Sequence, residues 1–311
     1  MKADYNELIL TCEANESDIL NIISGDLFEA MEADDNTPDA INGQTATQDT
    51  TPSDETKSFK KIGLIEKTAE KVKKLLKKIM DMLSNLKLKM KNRIRMLNET
   101  DKGFQQQYYK QKSIAKPQQN VKVITYQYKN NELDMPLDKL MRELTKCFDT
   151  ITLESSGKQG GDARTNQILK APQNKMIQVL LEPYVNREPI ETIAGFIKYL
   201  IGKFRGEKKE LLFNINQVSN IEALALSTNK LSERCNAYIK GAETSYTKIK
   251  AIEFHIKRST NNSEVLRAAS NSVARAATLY NAYSALIQGY YELKLEQCLN
   301  YRQILKRFYQ F

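Results

Sequence analysis

Apolar residues recur at alternating steps of three and four between residues 62 and 97, which is the spacing of one face of a long helix. Ten of the eleven positions in this seam are apolar, and the eleventh is an arginine: Ile62, Ile65, Ala69, Val72, Leu76, Ile79, Leu83, Leu86, Met90, Arg93 and Leu97. Flanking apolar residues widen the stripe beyond a two-stranded seam: Leu75, Met80, Met82, Ile94 and Met96. The pattern predicts a basic amphipathic helix within residues 58–112, helical to about Asn98, that needs a broad apolar partner.

The polar side of this helix is dominated by bases. The residues predicted to contact nucleic acid or another anionic surface are Lys67, Lys71, Lys74, Lys77, Lys78, Lys91 and Arg95. Lys73, Lys87 and Lys89 flank the seam with only Glu66 opposing them, so a parallel homodimer would bring like charges together. Three interpretations stay open: a solvated face of a helical bundle, a surface that binds nucleic acid through counterion release, and an interfacial helix on anionic lipid.

Two segments precede the basic helix. Residues 1–33 are predicted to be an acidic N-terminal helical segment, with apolar residues at helical spacing and a break near Ser24 and Gly25. Residues 34–57 contain almost no large apolar side chain, so they cannot bury enough surface to offset the entropy of ordering. They are predicted to be a disordered linker.

Charge is strongly segregated along the chain. Residues 1–56 contain 14 acidic residues and one basic residue, whereas residues 57–112 contain 17 basic and five acidic residues. The whole chain carries a net charge of +9. Such asymmetry between neighbouring segments indicates contact with a polyanion or a membrane, or one segment masking the other.

Residues 113–216 mix strand and helix signals and predict a small α+β module. The predicted strands lie at 121–128, 150–154 and 211–215, and the predicted helices at 137–148, 165–182 and 189–204.

Residues 217–311 predict a long helical hairpin. Apolar residues recur at helical spacing on both sides of a polar break at residues 259–262. The second helix carries an aromatic stripe, for which core or interface packing is expected ahead of base stacking: Tyr280, Tyr283, Tyr290, Tyr291, Tyr301 and Tyr309. The predicted fold class is therefore mainly α, with a long amphipathic helix, a C-terminal antiparallel helical hairpin and a small α+β middle module.

Catalytic chemistry has little support in the sequence. His255 is the only histidine, and the Gly-rich loop at 157–162 lacks the spacing of a phosphate-binding P-loop. The four cysteines are far apart, which favours free thiols over a disulfide or zinc framework. We therefore expect no catalytic residue, metal or cofactor, and a non-enzymatic role.

Targeting signals are also lacking. The first residues do not have the basic start and apolar core of a secretory peptide. The longest apolar-rich stretch, residues 190–204, contains Glu191, Lys198 and Lys203 and is too short and too charged to span a bilayer. A soluble or peripheral protein is expected.

A candidate processing motif lies just before the predicted linker. Leu27-Phe28-Glu29 followed by Ala30 matches a Leu/Ile-x-Glu triplet that precedes Ala or Gly. With this motif, the arrangement of residues 1–112 resembles virion proteins of tailed bacteriophages that are packaged inside the head or injected with the genome. The resemblance implies trimming after Glu29 by a prohead protease, and it implies that residues 1–29 mask the basic helix until assembly.

The resemblance also implies a structural or assembly role in the virion, with the host cytoplasm as the place of assembly. The implied partners are other virion proteins or copies of the chain itself, and non-specific nucleic acid on the basic helix. The alternative that stays open is a peripheral helical protein that binds or perturbs an anionic membrane surface.

Overall fold

The computed structural model describes residues 5–34, 54–156, 158, 160–258 and 263–311, except for the side chains of 25–34, 54–65, 131, 255–258 and 263–266. In chain order the elements are α1 (Tyr5–Asp34), α2 (Asp54–Ile114), β1 (Asn120–Tyr126), α3 (Asp134–Ser155), α4 (Ala163–Lys170), α5 (Met176–Leu181), α6 (Ile193–Arg205), β2 (Lys208–Asn214), α7 (Val218–Ala225), α8 (Thr228–Arg258) and α9 (Ser263–Tyr309). The described residues are mainly helical with one small antiparallel sheet, which confirms the predicted fold class.

Helix α9 lies at the centre of the fold and contacts α1, α2, α3, α6, α7 and α8. Every side chain from residue 279 to residue 293 is buried, as expected for a helix surrounded by others. Ala274, Ala276 and Ala277 are small and buried, so neighbouring helices can approach its N-terminal half closely. The aromatic stripe packs in this core, since Tyr280, Tyr283, Tyr290 and Tyr291 are all buried.

Helices α8 and α9 form the predicted antiparallel hairpin. The Tyr280 hydroxyl donates to the Ala242 carbonyl at 3.2 Å, and the Tyr283 hydroxyl donates to the Tyr238 carbonyl at 3.4 Å. Because the contact residue on α8 rises as that on α9 falls, the two helices run in opposite directions. The first helix of the hairpin predicted at 217–311 is divided into α7 and α8, because Cys298 and Arg302 of α9 donate to the Ala225 carbonyl, which ends α7.

Helix α2 is continuous from Asp54 to Ile114, so it is longer than the predicted helix, which ended near Asn98. The described part of its seam packs against α9 and α8, and the buried seam residues are Val72, Leu76, Ile79, Leu83, Leu86, Met90 and Leu97. The flanking Leu75 and Met82 are buried with them, and Ala69 is half-buried. The side chains of Ile62 and Ile65 lie outside the described set. Two predicted flanking residues, Met80 and Met96, are exposed instead. The broad apolar partner that the sequence required is therefore supplied by the same chain.

The sheet pairs β1 with β2 in antiparallel register, with Val121 opposite Phe213 and Val123 opposite Leu211. The predicted strand at 211–215 starts earlier, at Lys208. Val121 belongs to a second, smaller core that joins the sheet to α7 and to the C-terminal ends of α2 and α9: Phe104, Tyr108, Val218, Ile221, Ala225, Ile304, Leu305, Phe308 and Tyr309.

The strand predicted at 150–154 is wrong, because these residues form the last turns of α3. Thr150 and Ile151 are buried at helical spacing from Leu144 and Cys147. The Thr152 hydroxyl donates to the Phe148 carbonyl at 2.9 Å, an internal helix contact. The β-branched residues that suggested a strand are held in a helix by packing against α8 and α9.

The helix predicted at 165–182 is also wrong as a single element. It is divided into α4 and α5, because Pro172 lacks the N–H group that a continuous helix needs. The helix predicted at 189–204 starts at Ile193, where the Thr192 hydroxyl accepts a hydrogen bond from the Gly195 N–H at 3.1 Å and caps the first turn.

Helix α1 continues through Ser24 and Gly25, so the predicted break is wrong. The Ser24 hydroxyl donates to the Leu20 carbonyl at 2.8 Å, a bond that a helix accommodates. Leu8, Cys12 and Ile19 are buried in the main core.

The linker prediction for residues 34–57 falls mostly outside the described residues, and its two ends belong to α1 and α2. Within the described part of the chain, no helix is both long and apolar enough to cross a membrane.

Candidate nucleic-acid interface

The seven bases predicted to contact an anionic surface lie on two flanks of α2. Lys77, Lys91 and Arg95 are exposed on the flank beside α8, whereas Lys71 and Lys78 turn toward α1. The remaining two, Lys67 and Lys74, are exposed, and Lys74 lies 3.4 Å from Glu70 one turn away. The structure therefore divides a set that the sequence treated as one face.

The flank beside α1 is already neutralised by acidic groups. Lys78 Nζ lies 2.6 Å from Asp18, and Lys89 Nζ lies 2.7 Å from Glu7. Lys71 Nζ donates to the Ile23 carbonyl at 3.4 Å. Because α1 and α2 run in opposite directions, acids near both ends of this contact reach lysines of α2.

The flank beside α8 forms an open groove with a volume of about 870 Å³. Its basic residues are Lys87, Lys91, Arg95 and Lys102. Its apolar residues are Leu88 and Ile94 of α2 and Ile239 of α8, and its other residues are Ser84, Asn98, Glu99 and Asn236. Leu88 is 61 % exposed, so the apolar part of the groove is open to solvent.

The basic residues of this flank extend along α2 beyond the groove. Lys73, Lys77, Lys91, Arg95 and Lys102 recur at helical steps on one side of the helix, and we call this set the basic stripe. At 1.5 Å per residue the stripe is about 44 Å long. A straight row of bases of this length matches the backbone of a nucleic acid better than it matches a small anion.

Most of the basic stripe has no counter-charge. Within the described residues, Lys73, Lys77, Lys91 and Lys102 make no ion pair. Arg95 lies 4.0 Å from Glu99, and both side chains are more than 70 % exposed, so this pair is weak. Lys87, beside the stripe, is paired with Glu243 of α8 at 2.5 Å. The stripe is therefore available to an external anion.

Sequence reasoning missed part of this surface. Lys102 lies beyond the predicted end of the helix, although it follows Lys91 and Arg95 at helical spacing. Lys73 and Lys87 were read only as charges that oppose dimerisation. Asn236 and Ile239 come from α8, and only the folded chain brings them to the groove.

The candidate processing residues Leu27, Phe28, Glu29 and Ala30 lie in α1, and their side chains are outside the described set. The side chain of His255, in α8, is also outside it.

The end of the Gly-rich loop serves as a helix cap. The Asp162 carboxylate accepts a hydrogen bond from the Thr165 N–H at 2.8 Å and so caps α4. The Lys146 ammonium donates to the same carboxylate at 2.8 Å. The bond from Lys146 and the bonds from Thr165 hold the pKa of Asp162 well below its usual range. Asp162 thus has a structural role at this connection.

The four cysteines are free thiols in the interior. Burial raises the pKa of Cys12, Cys147 and Cys235 to about 12 and that of Cys298 to about 11, so all four stay protonated at neutral pH. The described residues contain no group of three His, Cys, Asp or Glu side chains placed to hold a metal ion.

Comparison of the chain with protein-family models, with curated proteins and with solved structures found no match.

Proposed function

We propose that this protein is a non-enzymatic structural or assembly protein, a component of a phage virion that associates with other virion proteins or its own copies and contacts nucleic acid through α2. The observation that carries the nucleic-acid part is the combination on α2 of an apolar seam that is buried from Val72 to Leu97 and an open basic stripe. The virion part is supported by the arrangement of residues 1–112.

The stripe would bind by electrostatics and counterion release. Lysines on a regular helix face can neutralise phosphates, but they carry no fixed pattern of donors and acceptors for reading base edges. The five bases of the stripe alone, with one phosphate contact each, give a slope of log K against log[salt] of about −4.5 on duplex DNA. Binding would then weaken about 500-fold between 50 and 200 mM salt, without regard to sequence.

A peripheral membrane protein is the second candidate. Met80, Leu88 and Met96 are exposed among the bases of α2, which favours some contact with lipid. An interfacial helix would insert its main apolar face, however, and Ile79 and Leu86 of that face are already in the protein core. We therefore rank the nucleic-acid proposal first.

The test compares binding to unrelated DNA duplexes at 50 and 200 mM salt by fluorescence anisotropy. The wild-type chain is expected to bind all duplexes alike and to lose affinity steeply with salt. A variant with Lys73, Lys77, Lys91 and Lys102 all changed to Gln is expected to bind at least tenfold more weakly at 50 mM. The matched control changes exposed lysines elsewhere to Gln: Lys139, Lys170, Lys175 and Lys230.

Equal loss in the two variants would overturn the assignment to the stripe. Flotation with anionic liposomes that persists in high salt would favour the membrane candidate, because buried apolar area is not screened by salt. Light scattering measures self-association, and neighbouring capsid and tail genes would support the virion assignment.

A further inference from the structure

Helix α1 is joined to the fold by ion pairs of its acidic residues as well as by apolar contacts. It contains eight acidic residues and no basic one. Glu7 and Asp18 pair with Lys89 and Lys78 of α2, and Glu13 lies 3.7 Å from Lys198 of α6. Such partly exposed ion pairs contribute about 0–1 kcal/mol each and weaken with salt.

The surface of α9 beneath α1 is polar. The Asn281 amide donates to the Cys12 carbonyl at 3.2 Å. The Tyr5 hydroxyl donates to the Glu296 carboxylate and lies 3.3 Å from the Glu292 carbonyl. The α9 surface that contacts α8 differs, since aromatic side chains lie there: Tyr280 and Tyr283 reach α8 carbonyls, and the ring of Tyr290 packs against Tyr238 of α8.

One buried polar atom in this interface, Oε1 of Gln288, has no partner among the described residues. Gln288 is 9 % exposed, and its Oε1 accepts no hydrogen bond from the described residues. Gln288 lines a cavity of about 230 Å³ between the three helices, with Glu7, Leu8, Lys89, Met90, Asn92, Arg93 and Glu292. The Nε2 of the same side chain donates to the Ser284 hydroxyl at 3.4 Å, so only Oε1 is left to accept a hydrogen bond. A polar surface of this kind can be hydrated when α1 leaves it.

We propose that α1 is an intramolecular competitor of nucleic acid, which covers the second basic flank of α2 and detaches when a polyanion binds. This inference rests on the proposed function and names its regulation. Detachment would remove the acidic partners of Lys78 and Lys89 and free Lys71 from α1, so that both flanks of α2 face the polyanion. The polar residues of α9 under α1 tolerate exposure to water, so opening does not uncover a purely apolar surface.

The apolar contacts of α1 define how strongly the competitor is held. Leu8, Cys12 and Ile19 are buried, and Leu8 approaches Gly289 of α9. Burying three such side chains stabilises docking by several kcal/mol, on the order of 1.5–3 kcal/mol for each large one. Helix α1 therefore stays docked in the free protein, and a multivalent anion is needed to displace it.

A disulfide that locks α1 to α9 tests the inference directly. Asn281 Nδ2 lies 3.7 Å from Cys12 Sγ, so Asn281→Cys places a second thiol beside a natural one. The oxidised N281C protein is expected to bind duplex DNA at 50 mM salt at least tenfold more weakly than the reduced N281C protein. Its salt slope is expected to be smaller in magnitude by about 2–3, for three lysines that stay covered.

The matched control is the double variant C12S/N281C, which cannot form this bond and should bind DNA equally with and without oxidant. Equal DNA affinity of oxidised and reduced N281C, with the crosslink confirmed by mass spectrometry, would overturn the inference and leave the proposed function intact. Failure of the wild-type and reduced proteins to bind DNA at all would instead refute the proposed function.

Hydrogen exchange of the wild-type protein provides a second measurement that needs no variant. Amides of residues 8–24 are expected to exchange faster when saturating duplex DNA is added, because docked α1 is released. Unchanged or slower exchange of these amides in the DNA-bound protein contradicts detachment.

Discussion

Arg93, the one polar residue in the apolar seam of α2, is paired with Glu292 of α9. Arg93 Nε donates to Glu292 Oε1 at 2.9 Å, and the guanidinium also reaches the second carboxylate oxygen. The irregularity in the seam is therefore matched by a carboxylate on the helix that covers it. A polar pair at one position also fixes the register of the two helices. A shift by one turn would separate the two charges and leave each of them buried without its partner.

Replacing Arg93 by Ala is expected to lower the free energy of unfolding by about 3 kcal/mol, because it leaves Glu292 buried without its main partner. This loss is at the low end of the range for breaking a buried ion pair, because the Arg93 side chain remains 19 % exposed. Urea unfolding measures the change. The double variant R93M/E292L should recover most of the loss, and an R93A loss as small as that of exposed Lys91→Ala would contradict a buried pair.

The burial of the seam is tested by two adjacent residues. Ile79→Ala is expected to cost about 2–5 kcal/mol, because Ile79 is fully buried and its removal leaves a cavity. Met80→Ala should change stability by at most about 0.5 kcal/mol, since Met80 faces solvent. Thermal unfolding compares the two variants, and similar losses would mean that the seam is not packed as described.

Each lysine of the basic stripe should contribute measurably to the salt dependence of DNA binding. Lys91→Gln is expected to reduce the magnitude of the slope of log K against log[salt] by about 0.9 on duplex DNA, with no change in sequence preference. Lys170→Gln, an exposed change on α4, is the control and should leave the slope unchanged. Binding titrations at four salt concentrations measure both slopes.

The cysteines should be unreactive until the protein unfolds. Ellman's reagent at pH 8 is expected to modify less than one thiol per native chain and all four in denaturant, because the thiols are buried and their pKa values are raised by burial. Rapid modification of the native protein at one site would mark an opening of the core. Cys12 is the position at which detachment of α1 would first be detected.

Glu16 should make α1 docking depend on pH. Burial, and then the nearby Glu13 charge, raise the pKa of Glu16 above its usual value in the folded protein. The folded state then holds the Glu16 proton more tightly than the unfolded state does. The protonated carboxyl therefore contributes to the free energy of unfolding at low pH, and this contribution is lost as pH rises through the pKa of the folded state. Glu16→Gln should therefore raise Tm at pH 7 and leave it unchanged at pH 3, as measured by calorimetry. A lower Tm of the E16Q variant than of the wild type at pH 7 would contradict a raised pKa of Glu16.

The long helices could be predicted because their apolar residues follow the helical period over many turns. The seam of α2 and the two helices of the hairpin are the clearest cases. The same period says which face is apolar but not what covers it, so the packing of α2 on α9 of the same chain could not be distinguished from packing on another copy. Pairing of Arg93 with Glu292 joins residues far apart in sequence and has no local signal.

The errors lie where tertiary packing overrides local preference. Thr150 and Ile151 favour strands as isolated residues, yet they complete the buried face of α3. At the candidate site, helical spacing could not separate Lys77 and Lys91, which face solvent, from Lys71 and Lys78, which face α1. That separation depends on where α1 docks, and docking is a property of the whole fold.

The central position of α9 has a consequence for biosynthesis. Helix α9 is synthesised after every other described element, and helices α1, α2, α3, α6, α7 and α8 all pack against it. A ribosome-bound chain that has reached only α8 lacks one of the two main partners of the α2 seam, so the side of the seam that packs on α9 stays exposed. The main core is therefore completed only after α9 has been translated, and until then its uncovered apolar surface is open to non-native association.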